Sequence, residues 1–311
     1  MTRLVQVSGV ILDLIYRVRA VPVAGTEAIV EGFSMAPGGG FNAMVAARQW
    51  GMDVAFAGTL GTGPFADIVM QGLVAQGITA LRQTRLPGMD QGTCVVMIDD
   101  GGERTFVAKE GADGVMTDAD LAGVGTLPDD WLLISGYALG YAGSRGALTR
   151  FLQSRPTGRL LFDPGPLVAG IPRDTLQAAM NAAAWVSANA DEAAHLTGQS
   201  DPAAAATRLA HGRDGAVVRV GARGCFVATQ DHKATQIPAR KVTPIDTNGA
   251  GDTHVGAFIA ALAEGRDAAE ASWLANVAAA LSTTEEGPST APTKARVLDT
   301  AHHQPRNRRL P

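Results

Sequence analysis

The sequence predicts an α/β fold: a doubly wound, mostly parallel sheet with helices on both faces and a small β excursion set apart from it. Three observations carry this. β-prone runs alternate with helix-period runs over most of the chain. Residues 4–12 and 131–135 are nearly unbroken apolar runs, which suits strands buried on both faces. Residues 16–35 and 92–108 instead join β runs without a helix between them.

In chain order, 4–12 is read as the first strand, interrupted by Gly9 and ended by Asp13. In a parallel sheet ligands sit at the carboxyl ends of strands. A carboxylate there accepts from two neighbouring hydroxyls, or is a plain turn residue. Residues 16–35 have no helical period and are punctuated by Pro22 and Gly25. The run Ala36-Pro37-Gly38-Gly39-Gly40-Phe41-Asn42 follows, then a helix with Met44, Val45, Ala46 and Trp50, stopped by Gly51. Its glycines let a backbone approach a ligand, and Asn42 both donates and accepts. Residues 54–58 form the next strand, 61–65 a loop, and 68–73 a helix that Gly77 ends. Residues 92–98 and 103–108, joined by Asp99-Asp100-Gly101-Gly102, form a hairpin. Strands follow at 131–135, 159–162, 185–187 and 215–220, with a helix at 144–154. Asn189 and Glu192 have the spacing of an N-cap and its first-turn acid. A helix at 271–281 and a loop at 287–293 complete the pattern.

Composition narrows the function classes. A chain of 311 residues can bury a large core, as one large domain or two moderate ones. No internal repeat or long linker is seen, so one domain over 1–311 is expected. The net charge of −4 offers no global basic field to nucleic acid or to an anionic membrane. Cys94 and Cys225 make no Cys-x-x-Cys pair and no metal spacing, and are read as reduced packing residues of a cytoplasmic protein. The apolar start runs into Asp13, Arg17 and Arg19 without a small-residue cleavage site, so it is not read as a signal peptide. No apolar stretch is long enough to span a bilayer. The basic tail Arg306-Asn307-Arg308-Arg309 is read as a solvated end.

The most informative run is Asp246-Thr247-Asn248-Gly249-Ala250-Gly251-Asp252-Thr253. A strand-like segment, 241–245, precedes it. A helix follows, with Val255, Phe258, Ile259 and Leu262 on one face and Gly265 as its stop. A tight glycine turn into a helix aims several N–H groups at one spot, which the helix dipole makes favourable for an anion. Asp252 lies beside that spot. A carboxylate next to an anion site makes sense when it takes a proton from a hydroxyl that attacks the anion, as in phosphoryl transfer.

This run closely resembles the Asp-Thr-x-Gly-Ala-Gly-Asp signature of the ribokinase-like (PfkB) family of sugar and nucleoside kinases. The resemblance implies Asp252 as catalytic base and the backbone of Gly249, Ala250 and Gly251 as anion hole. It implies a ribokinase-like fold with a β lid at about 15–36 and 91–108, and ATP and Mg2+ as cofactors. Asp13, Gly38, Gly39 and Asn42 would hold the acceptor. The Gly-Gly-x-x-x-Asn signature is imperfect, with Pro37 in the first glycine position. Asn189 and Glu192 match an Asn-x-x-Glu motif that organises Mg2+ and phosphate through water. Asn189, Gly221, Arg223, Thr247 and Asn276 are carried over to the nucleotide. Other departures are Gly63 where an aspartate is common, the loss of all but Asp163 from an Asp-x-Asn motif, and Arg219 where threonine is usual. His254 stands two residues past the base, either as a space-filler or as a group that touches substrate or tunes Asp252.

The reading is an ATP-dependent kinase acting on a hydroxyl of a sugar or sugar-like molecule. A nucleoside kinase is the alternative, with Phe41, Tyr16 and the lid offering an apolar pocket for a base. A catalytically silent sugar or nucleotide sensor would show a damaged 246–252 run, which is intact here. A dinucleotide oxidoreductase would carry Gly-x-Gly-x-x-Gly right after the first strand, and it does not. Lids of this family often pair into homodimers, and the lid segments leave that open.

Overall fold

The computed structural model describes residues 2–82 and 84–302; the basic run at 306–309 lies outside the described residues. The strands are β1 (Arg3–Gln6), β2 (Val10–Val18), β3 (Val30–Gly39), β4 (Asp53–Phe56), β5 (Thr79–Ala80), β6 (Thr93–Ile98), β7 (Arg104–Lys109), β8 (Trp131–Ser135), β9 (Arg159–Asp163), β10 (Trp185–Asn189), β11 (Gly215–Arg219), β12 (Cys225–Thr229) and β13 (Thr235–Ile237). The helices are α1 (Gly40–Gln49), α2 (Pro64–Ala75), α3 (Asp118–Ala122), α4 (Gly136–Gly140), α5 (Ala142–Gln153), α6 (Arg173–Ala182), α7 (Ala190–Thr197), α8 (Pro202–Ala210), α9 (Ala250–Ala263), α10 (Ala268–Ser282) and α11 (Lys294–His302).

A nine-stranded sheet runs in the order β13-β12-β11-β10-β9-β8-β1-β4-β5. It is parallel from β11 to β5, and β12 and β13 close one edge antiparallel. Each face carries a hydrophobic layer. One joins the sheet to α1, α9 and α10 through Met44, Phe258 and Leu274. The other joins it to α5 and α8 through Leu148 and Leu209. This is the doubly wound α/β arrangement, and the first four residues of β8 and of β10 are buried, as strands covered on both faces require.

A separate four-stranded sheet has the order β3-β2-β6-β7. The expected hairpin is present as β6 and β7, and the excursion at 16–35 as parts of β2 and β3. Three expectations need correction. First, 4–12 is not one strand. The chain leaves the large sheet after β1 and enters the small one at β2. Gly9 is the reason: a Cβ there would lie 2.7 Å from that of Asp113. Asp13 is therefore mid-strand, opposite Ala36 and Cys94, and not at a strand end. Second, the run at 36–42 does not stand before the helix as a separate segment: Pro37, Gly38 and Gly39 end β3, paired with Leu12, Ile11 and Val10, and α1 already begins at Gly40.

Third, 241–245 is not a strand. Pro238 and Pro244 lack an N–H for a ladder. The N–H groups of Ile245 and Asp246 instead reach the Thr283 carbonyl at 2.7 and 3.1 Å. The helix that follows is also less one-sided than its apolar face suggests. In α9 every residue from Thr253 to Ala261 is buried, because α9 is wedged between the sheet, α1 and α10. Gly256 permits this: a Cβ there would meet the Ala43 carbonyl of α1 at 2.1 Å. No helix among the described residues is long and apolar enough to cross a membrane.

Candidate active site

The carboxyl ends of β1, β8, β9, β10 and β11 lie along one edge of the large sheet. Chain order reverses between β1 and β8, the kind of switch point where open α/β sheets hold ligands. A cavity of about 330 Å³ opens there, between that edge, the start of α9 and the small sheet. Asp13, Gly39, Asn42, Glu192, Gly251 and Asp252 line it, so residues far apart in sequence meet in one place.

The 249–251 turn is built as its composition predicts. Gly249 is left-handed, with φ 72°, and α9 starts at Ala250. The first-turn N–H groups of Gly251 and Asp252 have no carbonyl of their own helix to bind. Asp246 fixes the turn from behind: its Oδ1 accepts from Asn248 N–H at 2.8 Å and its Oδ2 from Gly287 N–H at 3.1 Å. Close packing of α1 on α9 brings Asn42 to Asp252. The Asn42 amide donates to Asp252 Oδ2 at 3.1 Å, and Ser289 Oγ donates to Asn42 Oδ1 at 2.8 Å. Ser289 was not singled out in the sequence; a serine in an irregular loop carries no local signal. Burial pushes the Asp252 carboxyl up to about 6, and the nearby Asp163 adds to this. The Asn42 hydrogen bond and the Arg219 charge oppose it.

Asp13 sits in the cavity wall, 7% exposed. Burial, then the charge of Asp252, pushes its carboxyl to about 7. Gly38 makes room for it, since a Cβ there would lie 2.2 Å from Asp13 Oδ2. Asp113, which sequence reasoning missed, faces the same cavity. Its Oδ1 accepts the N–H groups of Gly92 and Gly111 at 2.8 and 3.1 Å. Its Oδ2 is buried without a protein partner. Burial lifts it to about 6 against those two hydrogen bonds.

These three carboxyls have a thermodynamic consequence. Their folded pKa values lie above the ~4 of an unfolded carboxyl, so between about pH 4 and 7 the folded chain holds more protons than the unfolded one. Their contribution to stability is fully present below ~4 and is lost as pH rises through about 6 to 7. The ligand-free protein should melt higher near pH 5.5 than near pH 7.5, to an extent reduced in Asp113→Asn, by calorimetry at about equal ionic strength. A melting temperature that rises with pH over that window would contradict this.

Asn189 and Glu192 form a reciprocal cap on α7. Glu192 accepts from Asn189 N–H at 2.8 Å and from its amide at 2.7 Å, while Asn189 Oδ1 accepts from Glu192 N–H at 2.9 Å. Glu192 is buried and lines the cavity. Burial, then Asp163, raises its pKa, and Arg219 opposes them. Arg219 at the end of β11 is the residue that sequence reasoning most undervalued. It reaches Asp163 at 3.2 Å, Ser187 Oγ at 2.5 Å and Glu192 at 3.8 Å.

The remaining sequence candidates do not line this cavity. Thr247 Oγ1 accepts from Arg104 of β7 at 2.7 Å, and Arg17 of β2 pairs with Glu286, so the small sheet is tied to the 246–287 region. Gly221 and Arg223 occupy an exposed turn just past β11. The Asn276 amide is buried and binds the carbonyls of Ile237 and Pro238 at 3.0 and 3.1 Å. His254 is 3% exposed, points away from the cavity and packs on Phe258 with ring centroids 6.2 Å apart. Burial, then the Arg219 charge, pushes its pKa down to about 3, although Asn276 lies close enough to oppose this. Both ring nitrogens are buried without a hydrogen-bond partner, and the ring does not line the cavity, which supports the space-filling reading.

Residues 1–295 match the family described as pfkB family carbohydrate kinase. The uncharacterized sugar kinase YegV of Escherichia coli strain K12 is 28% identical over 94% of this chain and 92% of its own length. A ribokinase structure from Thermotoga maritima superposes with a TM-score of 0.83 at 23% identity, covering 97% of this chain and 99% of that one. A Vibrio cholerae fructokinase structure, with fructose, ADP and calcium bound, gives 0.77 at 26% identity, covering 96% and 99%. With the doubly wound sheet, the smaller second sheet and the intact 246–252 run, the chain belongs to the pfkB family of carbohydrate kinases and is a phosphotransferase with an alcohol group as acceptor.

Proposed function

We propose that this kinase moves the γ-phosphoryl group of ATP to a hydroxyl of an uncharged sugar or sugar-like polyol, with Asp252 as general base and the 249–251 turn as anion hole. The observation that carries this is the placement of Asp252. It stands beside a helix N-terminus, is held by Asn42, and faces a cavity that Asp13 also lines. The acceptor O–H bond breaks and its proton goes to Asp252. The oxygen forms a bond to the γ-phosphorus, whose bond to the bridging oxygen breaks to release ADP. The Gly251 and Asp252 N–H groups face the charge on the transferring group. Asp13, Asn42 and the backbone at Gly38 and Gly39 orient the acceptor.

Asn189, Gly221, Arg223, Thr247 and Asn276 stay assigned to the nucleotide side. For Asn276 the support is thin, because its amide is committed to two backbone carbonyls. The donor set fits a magnesium ion that keeps its waters. Glu192 and Asp163 supply hard oxygens, and no cluster of three protein ligands is found among the described residues. When bound, the ion would offset the charge of the nucleotide phosphates. The small sheet acts as a lid, with Phe106 of β7 over the cavity, and keeps water from competing for the phosphoryl group.

Charge selects the acceptor class. Asp13, Asp113, Asp163, Glu192 and Asp252 line the cavity, against Arg219 as its one lining cation among the described residues. Sugar acids and sugar phosphates would meet carboxylates. For a nucleoside base, Phe41 is packed in the core and Tyr16 lies tilted against Phe33 at 4.9 Å, so neither lines the cavity, but Phe106 of the lid does, with Tyr137 and Tyr141, and a nucleoside kinase stays the second reading. The test is an ADP-release panel of neutral sugars, polyols, sugar acids, sugar phosphates and nucleosides. Turnover confined to nucleosides or to anionic sugars would overturn the reading. Asp252 must be ionised to accept the proton, so kcat/KM should rise with pH through about 6 and then level. That profile should be unchanged in His254→Phe.

A further inference from the structure

The carboxyl end of β11 holds a guanidinium that the proposed chemistry has not yet used. Arg219 is largely enclosed, its side chain 15% exposed. Its Nη1 donates to Asp163 at 3.2 Å and to Ser187 Oγ at 2.5 Å, and its Nη2 lies 3.8 Å from Glu192. These partners come from β9, β10 and α7, so the group is held from three elements. It also borders the glycine turn: a Cβ built on Gly251 would lie 3.9 Å from Arg219 Nε. Burial works against its charge, but Asp163, Glu192 and Asp252 outweigh that and keep it cationic.

This placement is more than a structural ion pair requires. A guanidinium that only neutralised Asp163 and Glu192 could sit behind them. Arg219 instead lines the cavity and reaches the space beside Gly251, where the first-turn N–H groups of α9 point. Its planar fork has five donors, and its contacts with Asp163, Ser187 and Glu192 leave others free. The cavity it lines is otherwise rich in carboxylates, an unfavourable place for a nucleotide phosphate unless a fixed cation stands where the phosphate comes.

We propose that Arg219 is a catalytic residue that binds the phosphoryl group during transfer, with its guanidinium and the Gly251 end of the turn gripping that group from two sides. This rests on the kinase reading above. Oxygens of the γ-phosphoryl group accept from the free Arg219 N–H groups while the bond to ADP breaks and the bond to the acceptor oxygen forms. No proton leaves Arg219. Asp163 and Ser187 hold the fork in place, so its contribution is pre-organised.

The test compares wild type with Arg219→Lys, Arg219→Gln and Arg219→Ala, using a sugar that wild type phosphorylates, ATP and Mg2+. Expected is a fall in kcat of about 10²–10³-fold in the glutamine and alanine variants, the size seen when one donor to a developing anion is lost. The KM of the sugar should change little, because the group meets the phosphate and not the acceptor. Lysine should recover part of the rate, as a cation without the fork. Added guanidinium ion at millimolar concentration should restore part of the turnover of Arg219→Ala, a rescue that a purely structural role would not give. Thermal melting checks that each variant is folded, and the lysine and rescue measurements decide the matter if the glutamine variant is not. Near-normal kcat in the folded glutamine variant, or an alanine variant that is folded, slow and not rescued, would overturn the proposal while leaving the kinase reading intact. Wild-type protein that phosphorylates nothing in the acceptor panel would overturn both.

Discussion

Asp252→Asn should fold, bind ATP and lose nearly all turnover, by about 10²–10⁴-fold in kcat. The side chain changes little in shape, so Asn42 still finds an oxygen to donate to. What is lost is the capacity to take a proton. Stability should not suffer. The native carboxyl is buried and held at about 6, so near pH 7 the fold carries a charge it would rather not hold. Asparagine removes that cost, and the melting temperature of the variant at neutral pH should equal or exceed that of wild type. ADP release, ATP titration by calorimetry and thermal melting separate the three claims. A variant with near-normal kcat would remove Asp252 from the role of base, whatever the fold.

Gly249→Ala should cost both stability and activity. The native backbone is left-handed here, with φ 72°. A non-glycine residue in that region costs about 1–3 kcal/mol. The new Cβ would also lie 2.2 Å from the Pro288 carbonyl and 3.3 Å from Asn42 Cγ, and overpacking of this kind adds about 1–3 kcal/mol. A loss of roughly 2–6 kcal/mol in denaturant unfolding is expected from the two together. Any relief of the clash moves either the turn, which aims the N–H groups, or Asn42, which holds Asp252. The kcat should therefore fall by about 10²-fold or more in the folded fraction. Gly265→Ala is the matched control. It has φ 82° but nothing within 4 Å of the new Cβ, so it should carry the backbone strain alone and keep full activity. Equal behaviour of the two variants would mean that the Pro288 and Asn42 contacts do not matter.

Much of the architecture was legible in the residues. The β-prone runs at 131–135 and 215–220, the hairpin at 92–108 and the glycine stop after α9 each follow from local period and turn chemistry. The misreadings have local causes as well. An apolar run over 4–12 looks like one strand, and only the approach of Asp113 to Gly9 shows why it must break. The segment 241–245 has β-prone residues, but Pro244 has no N–H to give to a ladder.

The site divides along a similar line. By itself the sequence determined the parts made by one short segment: a glycine turn entering a helix, a carboxylate in that helix's first turn, and the Asn189–Glu192 cap. Their geometry is set by neighbours within a few residues. Tertiary structure alone decided the parts that depend on strand order and helix packing. Arg219 meets Asp163 from 56 residues away and Ser187 from 32, Asn42 meets Asp252 from 210, and Ser289 meets Asn42 from 247. Asp113 joins the cavity only because Gly9, Gly92 and Gly111 let three backbone segments close around it. A charged residue at a strand end reads the same whether it faces solvent or a partner. Which strand lies beside it is settled by the packing of the whole sheet, and that packing turns Arg219 from an oddity in the sequence into a cation in the cavity wall near Gly251.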